Sequence, residues 1–439
     1  MRRNLIAALL VLVLLTVSAG AESVELVVSG NDIPVETLEA YARELGGISI
    51  VLNEKNNTED LVTEALTHKD NTDMYFLSTN IDPVYVRLRD KGYLMPIEDE
   101  TLLHFANSLA PDLRKPVMAD GQFCAIPYDC LVQRTLKVNQ TLWAELGLED
   151  HAYPDTWEAF IQFIAQEYPT LHQAHPDIFA FSEDNTRSLI LLAQNQLFSC
   201  LLHGNEKVDF LWNAFSEMLL WFRQVDWTQT YPQEDFPGDR ILFSMLPQPY
   251  IFDDSQNDYL LLGLGDVPGA LTVSLNLVAI NPRSTHKSEA LALMRLMTER
   301  MVKTTRLVLL QDEQEPVIDE EAESQWQAVQ QTLKDYEQRI IAEEDATRRL
   351  ALTQEAEAYR QSEEEFYQKY RYIVGPEAVQ RLKDAAKAGF LISYSTVLSH
   401  EEMEVLDHLR GEMIRGNIDV GDYVQQLRQR WEADIAEGY

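Results

Sequence analysis

Cysteine is nearly absent: three in 439 residues are too few for a disulfide framework, and Cys124, Cys130 and Cys200 show no Cys-x-x-Cys spacing. Buried free thiols are the expectation, with a Cys124–Cys130 bridge the one alternative open to an oxidising compartment. Basic charge is scarce too, with 36 Lys and Arg against 71 Asp and Glu and a formal charge of −35. A surface of that sign repels nucleic acid and anionic membrane, so neither is expected as a partner. Long apolar runs are limited to one. Leu5 to Val17, apolar but for Thr16, covers thirteen residues behind Arg2 and Arg3. That is short of the roughly 18–20 residues of a membrane span. Followed by Ser18-Ala19-Gly20-Ala21, it has the parts of a signal peptide cleaved after Ala21. No cysteine lies between positions 16 and 23, so no lipid anchor is expected there. The chain is expected to act outside the cytoplasm.

Catalytic signatures are missing as well: there is no G-x-S-x-G, no H-E-x-x-H and no P-loop. His172 and His175 lack a third ligand nearby, and no metal is expected on them. A secreted hydrolase built on a carboxylate pair is an alternative only because acids abound. No catalytic residue and no cofactor is expected.

What is present is α/β patterning on a scale too large for one core: 418 residues follow Ala21, which suits two lobes. Val24 to Val28 reads as a strand, Pro34 opens a helix carrying Leu38, Tyr41 and Leu45, and Gly46-Gly47 stops it. Ile48 to Leu52, Thr58 to His68 and Met74 to Leu77 continue the alternation of strand, helix and strand, which predicts a parallel sheet with right-handed crossovers. Ligands of such sheets sit beyond the carboxyl ends of the strands. Leu131 to Val138 alternates like an exposed or crossing strand, and Leu271 to Ile280 reads as a long one. A helical region runs from a Thr156 N-cap to about Gln224, with strands at Arg240 to Met245 and Leu260 to Leu264. From about Gln311 to Tyr372 the chain turns rich in Glu and Gln and nearly loses glycine. Trp326, Val329, Leu333, Tyr336 and Ile340 make a heptad seam, and a second helix passes through Leu350, Leu352, Tyr359 and Phe366, which predicts a helical hairpin. The segment Ala378 to Tyr439 reads as helical throughout.

Four stretches carry a resemblance. They are Asn71-Thr72-Asp73-Met74-Tyr75-Phe76-Leu77, then Gly92-Tyr93-Leu94-Met95-Pro96-Ile97-Glu98-Asp99, then Asp120-Gly121-Gln122-Phe123-Cys124-Ala125-Ile126-Pro127, and last Ala279-Ile280-Asn281-Pro282 running on to Glu289-Ala290. In order and spacing they resemble the bacterial extracellular solute-binding proteins, family 1, the receptors of carbohydrate-type ABC importers. The resemblance implies a two-lobed periplasmic-binding-protein-like (type II) fold with strand hinges, here with an added acidic helical hairpin. The expected division is a signal peptide at 1–21, a first lobe of 22–130 and 273–312, a second lobe of 131–272 and 373–439, and the insertion at 313–372. It implies a monomer that closes on a small polar ligand, a sugar by preference, and delivers it to ABC permease subunits in the membrane. A receptor-like body repurposed for surface interaction or sensing is the alternative. Thr135 to Asn139 departs from the tyrosine pair common in the family, so an aromatic sugar platform is not expected there. Position at strand ends and crossings selects the candidate ligand contacts: Asn31, Asp32, Thr79, Asn80, Tyr128, Asp129, Gln248, Tyr250 and Asn276. Trp227 and Tyr231 are the aromatic candidates for stacking on a ligand face.

Overall fold

The computed structural model describes residues 23–30, 33–53, 58–67, 69–79, 84–133, 135–202, 208–233, 238–246, 257–393 and 400–438. The expected signal peptide lies outside them. Strand β1 (Val24–Gly30), helix α1 (Val35–Leu45), β2 (Ile48–Leu52), α2 (Thr58–Thr67) and β3 (Met74–Ser78) alternate as the sequence predicts. β1 lies between β2 and β3 and runs parallel to both. β3 is wholly buried, as its unbroken apolar run requires in a sheet covered on both faces. Gly30 closes β1 with φ at 134°, where a Cβ would lie 1.7 Å from the Phe76 carbonyl oxygen, so only glycine fits.

Helices α3 (Val84–Asp90), α4 (Glu100–Ser108) and α5 (Pro111–Arg114) lead to a ribbon of β4 (Met118–Ala119) and β5 (Gln122–Phe123). Asp120 and Gly121 turn it with φ of 49° and 80°. Positive φ at both central residues is the hairpin turn that Asp-Gly favours. β6 (Ile126–Val132) then reaches the edge of the lobe, and β7 (Thr135–Asn139) begins the second sheet. Leu131 to Val138 is therefore two strands in two sheets, broken at Gln133.

The second lobe continues with α6 (Gln140–Glu145), α7 (Trp157–Gln162), α8 (Tyr168–Ala174), α9 (Thr186–Leu202), α10 (Val208–Phe222), β8 (Phe243–Leu246) and β9 (Asn257–Leu260). β7 is the middle strand, antiparallel to β8 and β9. The strand expected at Arg240 to Met245 starts later because Gly238–Arg240 forms a 3-10 turn, and the one expected at Leu260 to Leu264 ends at Leu260. Thr156 caps α7 by accepting from the Ala159 amide. Trp143, Phe160, Phe163 and Phe243 meet edge-on or tilted around one core.

The chain returns through β10 (Leu271–Ile280), α11 (Lys287–Glu299), α12 (Lys303–Leu309) and β11 (Val317–Ile318). Helices α13 (Glu320–Ala342) and α14 (Ala346–Tyr370) form an antiparallel arm. Trp326 stacks on Tyr367 at 4.8 Å and 11°, and the Tyr336 and Tyr367 hydroxyls donate to Glu355 and Glu323 across the pair. The seam on α13 is the expected one. On α14 it runs through Leu352, Ala356, Tyr359, Glu363 and Tyr367, half-buried, while Leu350 and Phe366 fall out of step and stand 59% and 50% exposed. The Asp319 amide donates to the Arg371 carbonyl at 2.9 Å, so the arm leaves and re-enters the body at one point.

β12 (Tyr372–Val374), α15 (Pro376–Ala386) and β13 (Phe390–Ile392) follow, then α16 (His400–Ile414) and α17 (Val420–Gly438). Two separate cores result. One holds Leu26, Phe76 and Leu277, the other Trp157, Phe215 and Phe243. Val374, Leu382 and Ile392 are fully buried in the first core, and β13 pairs parallel to β10. Residues 372–393 thus pack with the first lobe, contrary to the expectation that placed 373–439 in the second; Leu391 touches the other core from β13, and α16 and α17 join it through Leu406, Tyr423, Leu427 and Trp431. The reading of Ala378 to Tyr439 as helix throughout missed β13, since three residues are too few for alternation to register.

Candidate functional site

The two lobes are joined three times: after Val132, before Leu271 and after Ser393. At Val273 all three passages are adjacent, because Val273 pairs with Val132 on one side and Ile392 on the other. The Gln133 amide donates to the Thr272 carbonyl at 2.8 Å and the Ser393 amide to the Val273 carbonyl at 2.7 Å. The Gln133 side-chain amide donates to the Ser274 hydroxyl at 2.9 Å. Extended strands side by side form a hinge that small dihedral changes can bend.

Between this hinge and α9 lies a cavity of about 320 Å³. Ser188, Leu191, Leu192 and Asn195 face it from α9, at the spacing that puts side chains on one helix face. Gln133, Thr272 and Ser393 face it from the hinge, and Met245 from β8. A smaller recess behind Gln196, Trp157 and Leu262 adjoins it. None of the described lining side chains is charged.

The setting of α9 follows from three consecutive amides about 100° apart around the helix. Gln196, buried, accepts from the Trp157 indole at 2.7 Å and donates to the Leu262 carbonyl at 2.7 Å. Gln194, on another side, accepts from the Tyr423 hydroxyl at 2.9 Å, and the buried Arg410 guanidinium lies beside it at 3.5 Å with Asp407 as its ion-pair partner. With both glutamines held, Asn195 is left facing the cavity. The side chains of Asn195, Ser188 and Thr272 have no hydrogen-bond partner within the protein among the described residues. They are the polar groups of the lining that a guest would meet.

Of the positions selected from the sequence, Thr79, Tyr128, Asp129 and Asn276 come together where β3, β6 and β10 meet. Thr79 is buried, and its hydroxyl accepts from the Leu275 amide at 2.9 Å. Asn276 pairs with Ser78 and with Asp129. A β-bulge makes Tyr128 the extra residue, its ring edge-on to Phe76 at 5.5 Å. Asp129 accepts from the Thr305 hydroxyl at 2.9 Å. Thr272 and Asn276 are an even number of residues apart on β10 and so share the face turned to the cavity. Trp227 lies elsewhere: its ring packs on Phe222 at 4.3 Å and its N–H donates to the Phe222 carbonyl, which gives it a place in the second core's packing. Tyr231 packs half-buried against the same core. Asn31, Asp32, Asn80, Gln248 and Tyr250 lie outside the described residues. Position-based reasoning missed Ser188 and Asn195; the signal was Gln194-Asn195-Gln196, three amides inside an otherwise apolar helix.

Neither the thiols nor His172 lines the cavity. All three thiols are free and buried. Burial pushes Cys124 up to about 11 and Cys200 up to about 12, and raises Cys130 further still. His172 sets its Nδ1 against the Ile178 carbonyl at 2.9 Å and stacks on Tyr168.

Comparison with known proteins agrees with this architecture. The family described as bacterial extracellular solute-binding protein matches residues 36–347. No protein of curated function matches the chain by sequence. Among solved structures, the putative binding protein MsmE of Bacillus subtilis, in an open conformation, superposes with a TM-score of 0.59 at 12% identity, over 95% of this chain and 99% of that one. UspC of Mycobacterium tuberculosis gives 0.53 at 13% identity, over 94% and 100%. The cyclic α-maltosyl-1,6-maltose binding protein of Arthrobacter globiformis gives 0.51 at 14%, over 94% and 100%. At such identities the likeness is one of fold.

Proposed function

The chain belongs to the bacterial extracellular solute-binding proteins, and from that premise we propose that it is the substrate-capture component of an ABC importer for a neutral carbohydrate. The reading is supported above all by the cavity between hinge and α9, whose described lining offers hydroxyl and amide groups without a charge. A buried ionic guest would require a counter-charge there, whereas a polyhydroxylated one needs donors and acceptors. Leu191, Leu192 and Met245 supply apolar surface for the C–H face of a sugar ring. Closure of the lobes about the hinge would desolvate the guest and release it unchanged at the permease, with no chemical step. The protein acts as a monomer, exported through the segment ending at Ala21. Sugar-binding neighbours such as the Arthrobacter globiformis protein favour the same ligand class.

Thermal unfolding across a panel of oligosaccharides, polyamines, amino acids and anions tests this. A neutral oligosaccharide is expected to raise Tm with the logarithm of its concentration, as binding to the folded state requires. Asn195→Leu is expected to weaken that ligand about tenfold or more, for loss of one buried polar contact. Response to charged ligands alone, or to none of the panel, would refute the proposal.

A further inference from the structure

Ligand capture makes no use of the acidic arm. Its helices are held together by their own seam, and among the described residues α14 buries no side chain. Large hydrophobic residues nevertheless stand in solvent around its foot: Ile318 at 46%, Phe366 at 50%, Tyr370 at 45% and Ile373 at 57% exposed. Phe366 and Tyr370 are one turn apart with ring centroids 4.7 Å apart. Val317 and Val374 turn inward from the paired β11 and β12, so Ile318 and Ile373 share the outer face of that ribbon. Single exposed hydrophobic residues are ordinary, but several at one place mark a surface that something covers.

Charge indicates what kind of surface covers it. The arm carries fourteen acidic against six basic residues between positions 319 and 370. Because the helices are antiparallel, Asp319, Glu320, Glu321 and Glu323 on one and Glu363, Glu364 and Glu365 on the other gather at the foot. Two bases at the foot are engaged with rings, Lys369 over Tyr370 at 5.0 Å and Arg371 over Tyr372 at 4.3 Å. An acidic rim repels anionic lipid, nucleic acid and, at a net −35, a second copy of the chain. It complements a positively charged surface with an apolar centre. We propose that the foot of the arm, with Phe366 and Tyr370 at its centre and Glu363 to Glu365 at its rim, docks a basic protein partner, whatever ligand the cleft takes.

Photo-crosslinking in the source bacterium tests it, with a benzophenone side chain at position 366 and, as control, at exposed position 220 on α10. The expected result is one adduct at position 366 that the control lacks, with a partner of net positive charge. Purified, that partner should bind the intact chain, and Glu363→Lys, Glu364→Lys and Glu365→Lys together should weaken it at least about tenfold, as should raising salt from about 0.05 M to about 0.5 M. Phe366→Ala with Tyr370→Ala should weaken it comparably while leaving helix content and Tm unchanged. No adduct at position 366, equal capture at both positions, an adduct of the chain with itself, an acidic partner, or an affinity indifferent to charge reversal would each overturn the proposal.

Discussion

Gly30 and Glu158 show how far single positions are fixed by what surrounds them. At Gly30 the backbone of β1 passes so close to β3 that an added methyl group would overlap the Phe76 carbonyl. Gly30→Ala is expected to lower stability by about 3 kcal/mol or more, since both strain and displaced backbone contribute; the midpoint of urea unfolding measures it. Glu158 on α7 has one carboxylate oxygen buried without a hydrogen-bond partner among the described residues. Burial raises its pKa above the ordinary carboxylate value. A group whose folded pKa is raised favours folding fully below its unfolded pKa and loses that contribution as pH rises through the folded one. The Tm of Glu158→Gln minus that of the unaltered protein should therefore grow between acid and neutral pH and then level off. A difference that shrinks over that range would exclude this account.

Among the elements, the arm and α9 behave in opposite ways. The arm is joined to the body at the Asp319–Arg371 hydrogen bond and by a short ribbon. Replacing residues 320–370 with a two-residue turn is accordingly expected to leave the Tm of the body and its ligand response intact, as a thermal scan of the shortened chain would show. α9 is held by Trp157 on α7, by the Leu262 carbonyl and by the C-terminal helices, and it forms one wall of the cleft. That contrast explains what was legible beforehand. β1 to β3, the hinge strand β10 and the seam of α13 declare themselves through alternation, length or heptad spacing. β13 does not, because three residues carry no period. Trp227 suggested a ligand platform from its loop position, but the Phe222 ring that occupies it comes from an adjacent helix end whose direction no local pattern reveals. Asn195 was hidden for a related reason: which of three neighbouring amides faces the cleft depends on Trp157 and Tyr423, residues far away in sequence.

At the scale of the whole molecule the two cores are separate, and among the described residues the extended passages between them lie side by side at Val273. Ligand that binds the cleft is expected to draw the lobes together, seen as a fall in the radius of gyration by X-ray scattering. A ligand that raises Tm without compaction would argue against closure about this hinge. The same threefold crossing has a second effect, on the order in which the polypeptide becomes protein. The first core waits for Val374 to Ile392 and the second for Tyr423 to Trp431, so the first nucleus is complete only once residue 392 has been made and the second only with the final helix. A nascent chain that stops short of residue 392 holds no finished globule, and consolidation of both halves is deferred until late in synthesis.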